Sequence, residues 1–286
     1  MVDMDYIRPQ DLAGALDFLA AHGPDTTLLA GGTDVMVDLR AGKLHSRYLL
    51  DISRLSEFRK IEACNGELTV GAGVTIAEIY ASKTIARHAP ALQKAAAAFA
   101  SRPVRNVATI GGNVAHCSPC GDTIPPLLIH DARAVVVSPR GRRLVDVEQM
   151  ADGPYHCTLR PDEIITGFIL KVKPDEVEFV DFQKIGRRKA LAIARISMAV
   201  MAQQQPDKSI GFIRFALGSC TPTPHRFRQI EEFLLGKVPD HRQSPAMAGL
   251  YGKTDRFGRK PGNWDMRRLK DIFSLPAFQP PGLPAF

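Results

Sequence analysis

Two pairs of adjacent glycines are the residues of this chain whose type and spacing best suggest chemistry. They lie in Gly31-Gly32-Thr33-Asp34 and in Thr109-Ile110-Gly111-Gly112-Asn113. Glycine has no Cβ, so the backbone can approach a ligand closely and aim several N–H groups at one anion. A single Gly-Gly pair usually marks only a tight turn. Two pairs about eighty residues apart, each beside Thr and then Asp or Asn, favour two loops that hold one diphosphate.

Neither glycine pair fits the common phosphate motifs. The spaced glycines of the dinucleotide fingerprint are missing, and so is the Gly-Lys-Ser/Thr of a phosphate loop. If the chain binds a dinucleotide, it therefore does so on a fold other than the Rossmann fold.

The cysteines raise the question of a redox or metal site. Cys117-Ser118-Pro119-Cys120 has the C-x-x-C spacing of such sites. Cys64, Cys157 and Cys220 are scattered, and no second pair completes a tetrahedral site. The odd number of cysteines is typical of reduced thiols. Buried or idle thiols are favoured over an iron–sulfur or zinc site, so we predict no metal site in this chain.

Histidines give no further signal of catalysis. His88, His116 and His130 lack metal-ligand spacing. A local hydrogen-bonding role for His116, which lies beside the second glycine pair, is favoured over contact with a ligand. Nothing resembles a Ser-His-Asp set. We therefore predict no catalytic side chain.

Composition bounds the class of protein. With 286 residues, 45% hydrophobic and 23% charged, the chain suits a globular protein of two domains. No apolar run reaches the roughly 18 residues of a membrane helix. The acidic start Met1–Asp5 lacks a signal-peptide layout, which predicts a cytoplasmic protein.

The net charge of +7 is concentrated near the end of the chain. Thr221–Phe286 holds 11 Lys and Arg but only 6 Asp and Glu residues. This uneven distribution indicates a local basic surface rather than a generally basic protein.

Helix and strand signals mix without strict alternation, which predicts an α+β fold. Asp11 caps the first predicted helix, and Thr75 and Glu78 have capping-box spacing. Thr33 or Asp34 caps a turn of helix. The first predicted helix runs through Leu12, Ala15, Leu16 and Leu19 and is ended by Gly23-Pro24. The other predicted helices are Val35–Arg40, one starting at Thr75, Pro90–Ser101, Arg226–Leu235 and Trp264–Phe273. The predicted strands are Thr26–Ala30, Tyr48–Ile52, Leu68–Ala72, Ala134–Ser138, Arg142–Val147, Ile164–Val172, Phe179–Lys184, Ile196–Gln203 and Ile210–Leu217.

The segments around both glycine pairs resemble a known family. Leu28-Leu29-Ala30-Gly31-Gly32-Thr33-Asp34 and Arg105-Asn106-Val107-Ala108-Thr109-Ile110-Gly111-Gly112-Asn113 are similar to the two FAD loops of the molybdenum hydroxylase flavoprotein subunits. These are the medium subunits of bacterial xanthine dehydrogenases, carbon monoxide dehydrogenases and their relatives. The resemblance covers about residues 1 to 236 and continues through Ser118-Pro119, Asp122, Asp162–Ile165, Phe182–Lys184, Arg187-Arg188, Pro224 and Glu231–Gly236.

The resemblance implies an α+β architecture with a two-subdomain FAD-binding fold of the vanillyl-alcohol-oxidase/PCMH type, followed by a smaller α+β C-terminal domain. We place the FAD-binding domain at residues 1–173, with subdomains at about 1–53 and 54–173. The C-terminal domain takes residues 174–286, because the polar stretch 173–176 contains a proline and predicts a boundary.

The resemblance also implies a set of cofactor-binding residues. The first loop would wrap the FAD pyrophosphate with its N–H groups and the Thr33 hydroxyl, and the second would close on the diphosphate and ribityl region. Lys184 would lie at the isoalloxazine edge, where a cation stabilises anionic reduced flavin. The full set is Thr27, Leu28, Leu29, Ala30, Gly31, Gly32, Thr33, Asp34, Phe99, Thr109, Ile110, Gly111, Gly112, Asn113, Ser118, Asp122, Ile165 and Lys184.

The function implied by the resemblance is electron transfer through non-covalent FAD in a multisubunit dehydrogenase. An iron–sulfur small subunit with 2Fe-2S clusters would deliver electrons, and a molybdopterin large subunit would oxidise the substrate. NAD+ or another acceptor would receive the electrons, and the complex would be a heterotrimer or its dimer. The substrate of the complex stays open.

Two alternatives come from other readings of the chain. A stand-alone flavin-dependent oxidoreductase could use the same fold. A nucleic-acid-binding module would use the basic tail, but the tail lacks regular aromatic interleaving, and the glycine pairs would be unexplained. We therefore predict no nucleic-acid partner.

The tail from about residue 240 departs from the family. It is interpreted either as a diverged surface segment or as a docking arm for partner subunits, with aromatic anchors and a charged rim.

Overall fold

The N-terminal part of the chain builds a small parallel sheet. A computed structural model describes residues 4–188 and 191–238 of the protein. The strands of this sheet lie in the order β1-β3-β2, and every neighbouring pair is parallel. Its elements are β1 (Asp5–Ile7), α1 (Leu12–His22), β2 (Thr26–Leu29), α2 (Val35–Arg40) and β3 (Tyr48–Asp51).

The middle part is a five-stranded antiparallel sheet with six helices. The strands lie in the order β4-β5-β10-β6-β7, and β8 pairs with β9 in a separate hairpin. The strands are β4 (Ile61–Cys64), β5 (Glu67–Gly71), β6 (Arg133–Ser138), β7 (Gly141–Asp146), β8 (Ala151–Gly153), β9 (His156–Cys157) and β10 (Ile164–Lys171). The helices are α3 (Ile76–Ala81), α4 (Lys83–His88), α5 (Pro90–Ala98), α6 (Arg102–Val107), α7 (Ile110–Ala115) and α8 (Ile124–Ile129).

The C-terminal part is a four-stranded antiparallel sheet whose strands lie in chain order. Its elements are β11 (Phe179–Gly186), β12 (Ala194–Gln204), β13 (Ile210–Gly218), β14 (His225–Arg226) and α9 (Arg228–Leu234). Helix α9 packs on β13, and the buried Glu231 carboxylate accepts a hydrogen bond of 2.8 Å from the Phe215 N–H.

One hydrophobic cluster joins the middle and C-terminal sheets. Helix α5 packs against β11, and α8 packs against β12 and β13. Phe182, Met201 and Ala216 consequently share a core with Leu68 and Phe168 of the five-stranded sheet. A 2.6 Å ion pair between Lys94 and Asp181 reinforces the α5–β11 contact.

Most of the predicted elements are confirmed. The fold is α+β, Asp11 accepts a 2.8 Å hydrogen bond from the Gly14 N–H, and Thr75 and Glu78 form both bonds of the capping box. Every predicted strand is present within two residues of its expected ends. Among the residues described, no helix has the length and apolar character to cross a membrane.

Several details of the element predictions are wrong. Helix α5 ends at Ala98 rather than Ser101, since Phe99 has extended backbone. Asp34 occupies the N-cap position of α2, but no side chain caps that helix. The final helix begins at Arg228, because residues 225–226 pair as strand β14. The predicted helix at Trp264–Phe273 and the basic tail lie outside the described residues.

Candidate functional site

Both glycine pairs line one cleft of about 550 Å³. The cleft opens where β2 and β3 end, so the first pair reaches it directly from the carboxyl edge of a parallel sheet. Such edges are the usual place for ligands in parallel sheets. The predicted residues that line the cleft are Leu28, Ala30, Gly31, Gly32, Thr33, Asp34, Phe99, Thr109, Gly111, Gly112, Asn113 and Ile165.

The first glycine segment, residues 30–34, presents a run of free backbone donors. The N–H groups of these five consecutive residues donate no hydrogen bond to any residue that the structure describes. Backbone N–H groups require a partner when they are withdrawn from water. A run of them facing a cleft is therefore an anion-binding arrangement.

Both glycines of this segment are required by the geometry. A Cβ on Gly31 would lie 2.1 Å from the carbonyl oxygen of Val107 at the end of α6. Gly32 has a φ of +70°, in the left-handed region that favours glycine. The segment thus passes within contact distance of the middle part of the chain and then turns into α2.

The second glycine segment, residues 109–113, is built differently. The N–H groups of Ile110 and Gly111 donate to the carbonyl oxygens of Val74 and Ala72 at 3.0 and 2.9 Å. Those of Gly112 and Asn113 donate to the hydroxyl and carbonyl oxygens of Thr109 at 3.1 and 3.0 Å. The prediction that this pair lies in a loop is wrong, because the pair lies in the first turn of α7.

What the second segment offers the cleft is shape and one side chain. A Cβ on Gly111 would lie 2.7 Å from the Ala72 Cβ, so only glycine lets α7 pack this closely. The Asn113 side-chain oxygen accepts a 2.7 Å hydrogen bond from the fully buried Thr123 hydroxyl. This bond fixes the amide and leaves its N–H groups without a partner among the described residues.

A buried ion pair lies close to Phe99, one of the residues that line the cleft. The Lys184 ammonium is 2.6 Å from the Asp122 carboxylate and 3.5 Å from the carbonyl oxygen of Ala98, the residue before Phe99. The second carboxylate oxygen of Asp122 has no partner among the described residues. Burial raises the pKa of Asp122, although the charge of Lys184 acts in the opposite direction. Neither side chain lines the cleft itself.

Four other predicted residues also lie outside the lining of the cleft. The Thr27 hydroxyl is hydrogen-bonded to Ser46 at 2.6 Å, and Leu29 lies within β2. Ile110 is fully buried in the core. The Ser118 hydroxyl accepts a 3.2 Å bond from the Cys120 N–H.

The acidic side chain of the first segment contacts Thr33 and His116, which also line the cleft. One Asp34 oxygen accepts a 3.1 Å bond from the Thr33 hydroxyl, and the other is 3.6 Å from the His116 ring nitrogen. The His116 ring also contacts Tyr155, with centroids 5.2 Å apart. The Thr33 hydroxyl, expected as a pyrophosphate donor, is thus engaged with Asp34.

The structure adds cleft residues that were not predicted. The most informative are Ser53, Arg54 and Arg59, with Asn106 and His116 nearby. A signal for Ser53 and Arg54 existed, because both follow a predicted strand directly. The sequence does not show that β3 lies beside β2 in parallel, which is what brings the two loops together.

The C-x-x-C cysteines do not pair with each other. The Cys117 thiol is buried and donates to the carbonyl oxygens of Val114 and Met150 at 3.3 and 3.5 Å. A hydrogen bond with Cys157, together with burial, raises the pKa of Cys117 well above its usual range. All five cysteines are free thiols, and no metal-binding group of three or more side chains exists in the described part of the chain.

A cleft lined by a run of free backbone donors, on an α+β fold without Rossmann topology, is the kind of site that binds a phosphate-bearing ligand. Comparison with known families refines this class. Residues 2–170 match the FAD binding domain in molybdopterin dehydrogenase, and residues 181–251 match the CO dehydrogenase flavoprotein C-terminal domain. The chain therefore belongs to the family of FAD-binding subunits of xanthine dehydrogenase and carbon monoxide dehydrogenase, and its cofactor is FAD.

Individual relatives agree with this family. The chain is 35% identical over 228 residues to the xanthine dehydrogenase FAD-binding subunit of Escherichia coli O157:H7, covering 79% of this chain and 77% of that protein. It is 31% identical over 241 residues to the nicotinate dehydrogenase FAD-subunit of Eubacterium barkeri, covering 82% and 81%. A carbon monoxide dehydrogenase structure from Hydrogenophaga pseudoflava superposes with a TM-score of 0.84 at 26% identity, covering 94% of this chain and 92% of that one.

The residues present fit FAD. The free N–H groups of the first segment suit a diphosphate, and the unpaired amide of Asn113 suits a polar group beside it. Phe99 and Ile165 add an apolar surface to the lining that is suited to a ring system. The unpartnered carboxylate oxygen of Asp122 lies near Phe99, because Lys184 contacts both Asp122 and the Ala98 carbonyl oxygen.

Proposed function

We propose that this chain is the electron-transfer subunit of a multisubunit molybdenum hydroxylase, and that it receives electrons on FAD from an iron–sulfur partner. A molybdopterin subunit would oxidise the substrate, and NAD+ or another acceptor would take the electrons from this chain. Each relative named above is a dehydrogenase subunit or complex by its description, which supports this assignment.

The observation that carries the proposal is the run of free N–H groups in the first glycine segment. These groups would hold the diphosphate, and the side-chain amide of Asn113 would donate beside them. Phe99 and Ile165 would contact the ring system and exclude water from it. FAD supplies the capacity to accept and release electrons when it is bound.

Lys184 would stabilise negative charge on the ring system. Its ammonium is largely buried, with an exposed fraction of 12%, and the Asp122 carboxylate holds it in place. In such surroundings a cation acts over a short distance with little screening by solvent. No described side chain of the cleft has to act as a nucleophile or general base in this role.

Spectroscopy of the purified chain and of its complex tests the proposal. The chain alone, loaded with FAD, is expected to show flavin absorbance but no bleaching by a hydroxylase substrate under anaerobic conditions. Co-expressed with its iron–sulfur and molybdopterin partners, the same flavin should bleach on addition of the substrate of the complex. NAD+ or another acceptor should then restore its colour.

Two results would overturn the proposal. Substrate-dependent bleaching of the isolated chain would favour a stand-alone flavin oxidoreductase. If the flavin of the active complex stayed in its oxidised form while the iron–sulfur clusters became reduced, electrons would leave the complex by another route.

A further inference from the structure

A second loop reaches the cleft beside the first glycine segment. Strands β2 and β3 are parallel neighbours, with Leu29 opposite Asp51, and both end at this edge. The Ile52 N–H donates to the Leu29 carbonyl oxygen at 2.9 Å, which keeps the two chains side by side as they leave the sheet. Arg54 therefore lines the same cleft as Gly31 and Gly32.

The buried Asp51 carboxylate holds the turn that carries Arg54 in place. A side-chain oxygen of the buried Asp51 accepts a 2.9 Å bond from the Ser53 N–H. The other oxygen is paired with Arg8 at 2.9 Å and with the Tyr6 hydroxyl. Burial alone would raise the pKa of Asp51, but these hydrogen bonds outweigh it and lower the pKa to about 2. The Asp51 carboxylate is thus ionised at neutral pH.

Arg54 itself has no partner. Its guanidinium makes no ion pair or hydrogen bond with any residue that the structure describes. Nearby arginines differ, since Arg8 is paired with Asp51 and Arg59 with Glu78 at 2.7 Å. Arg59 also lines the cleft, so the described lining contains one arginine that is paired with a carboxylate and one that is not.

We propose that Arg54 forms the ion pair with the diphosphate of FAD, and that it makes the cleft selective for diphosphate-bearing ligands. The five N–H groups offer only partial charges, whereas a diphosphate is doubly charged and planar guanidinium groups bind phosphate oxygens well. This inference rests on FAD binding as the function of the cleft. It adds a charged side chain to a diphosphate site otherwise made of backbone N–H groups and the neutral amide of Asn113.

The test is ligand affinity of the full-length chain freed of FAD. FAD, ADP and adenosine are titrated into the wild type and into Arg54→Gln, Arg54→Lys and Arg59→Gln. We expect Arg54→Gln to weaken FAD and ADP by roughly 10- to 100-fold and to leave adenosine unchanged. Arg54→Lys should recover part of the loss, because the charge remains while the planar fork is removed.

Arg59→Gln is the matched control, because it removes a cleft arginine whose charge is already paired. Its effect on ADP should stay within about 3-fold. Raising the salt concentration should weaken ADP binding to the wild type more than to Arg54→Gln, because screening acts on the ion pair. Unchanged circular dichroism and melting temperature of Arg54→Gln would exclude misfolding as the cause.

Three outcomes overturn the inference. Equal affinity of wild type and Arg54→Gln for ADP would show that the ion pair is not formed. An equal loss for ADP and adenosine would mean that Arg54 stacks on adenine instead. If Arg59→Gln weakened ADP binding as much as Arg54→Gln, the overall positive charge of the cleft, and not a specific ion pair, would explain the loss. Failure of the wild type to bind FAD would contradict the proposed function rather than this role of Arg54.

Discussion

The two glycine segments share a sequence pattern but use it for opposite purposes. The first leaves five consecutive N–H groups free at the cleft, while in the second the N–H groups of residues 110–113 are bonded within the protein. The first is a loop after a parallel strand, and the second is the first turn of α7. Adjacent glycines thus mark close backbone approach in both places, but only one of them is a donor loop.

The difference also separates ligand binding from packing. Gly31 touches the backbone of Val107, and its segment carries the donors, so a change there affects both stability and binding. Gly111 touches Ala72 inside the core, so a change there acts mainly on stability. Substitutions in the two segments should therefore be distinguishable by comparing unfolding with cofactor affinity.

The largest effect is expected for Gly31→Ala. The added Cβ would lie 2.1 Å from the Val107 carbonyl oxygen, so one backbone must move away from the other. We expect a loss of about 3 kcal/mol in the free energy of unfolding. The affinity for FAD should fall roughly 100-fold, as misplaced donors no longer converge on the diphosphate.

Urea unfolding and flavin fluorescence titration measure the two quantities. Gly153→Ala is a suitable control, since its Cβ would meet nothing closer than the His156 Cβ at 3.9 Å. Full FAD affinity in Gly31→Ala would refute the assigned role of this close contact.

The effect of Gly111→Ala should be smaller and should fall mainly on stability rather than on FAD affinity. Its Cβ would crowd the Ala72 Cβ and carbonyl oxygen at 2.7 and 2.8 Å. We expect a loss of about 2 kcal/mol in unfolding free energy from overpacking. The affinity for FAD should remain within about 10-fold of the wild type, because this segment's N–H groups are not binding groups. A larger loss of affinity than of stability would contradict the distinction between the segments.

The second glycine of each pair gives a finer comparison. Gly32 has positive φ, so Gly32→Ala should cost about 1 kcal/mol or more in unfolding free energy. Gly112 is helical, and its Cβ would lie 3.1 Å from the Thr109 hydroxyl. Gly112→Ala should change stability by less than about 0.5 kcal/mol, because better helix propensity offsets the tight contact. Thermal unfolding of the pair measures the difference, and equal losses would argue against it.

A further prediction concerns pH and the Asp51 carboxylate, which accepts a hydrogen bond from the Ser53 N–H next to Arg54. The pKa of Asp51 is lowered from 3.8 to about 2, so its ionised form stabilises the fold above the higher value. This contribution of about 2 kcal/mol should persist from pH 8 to 5 and fall by about half at pH 3. Unfolding of the wild type and Asp51→Asn should therefore converge as the pH falls. A stability difference that stays constant from pH 7 to 3 would show that Asp51 is not preferentially ionised in the fold.

Much of the fold was predictable because local signals and tertiary packing agree. Asp11 and Thr75 act as caps, and the long strands of the C-terminal sheet alternate or fill the core as their residues suggest. Helices α6 and α8 escaped prediction, since each has only six residues. Helices this short depend on tertiary contacts, which a local pattern does not report.

The sequence predicted the site residues that belong to continuous motifs, but not the residues that reach the cleft through the pairing of separate strands. The structure brings both glycine pairs, Phe99 and Ile165, which the resemblance implied, to the lining of one cleft. Whether they bind FAD as assigned stays a prediction. Arg54 and Ser53 were missed because their proximity to Gly31 depends on the register of β2 against β3. Likewise, the hydrogen bond between the Cys117 and Cys157 thiols depends on how the β8–β9 hairpin folds back.

The core shared by the two antiparallel sheets determines whether this subunit can be divided into two separately expressed parts. Phe182, Met201 and Ala216 would lose their burial if the chain were cut after β10, and the five-stranded sheet would expose the matching surface. The regions that match the two family models therefore share one core, and neither is expected to fold alone. A gene split between residues 171 and 179 should yield insoluble halves that recover only when expressed together, as in fragment complementation.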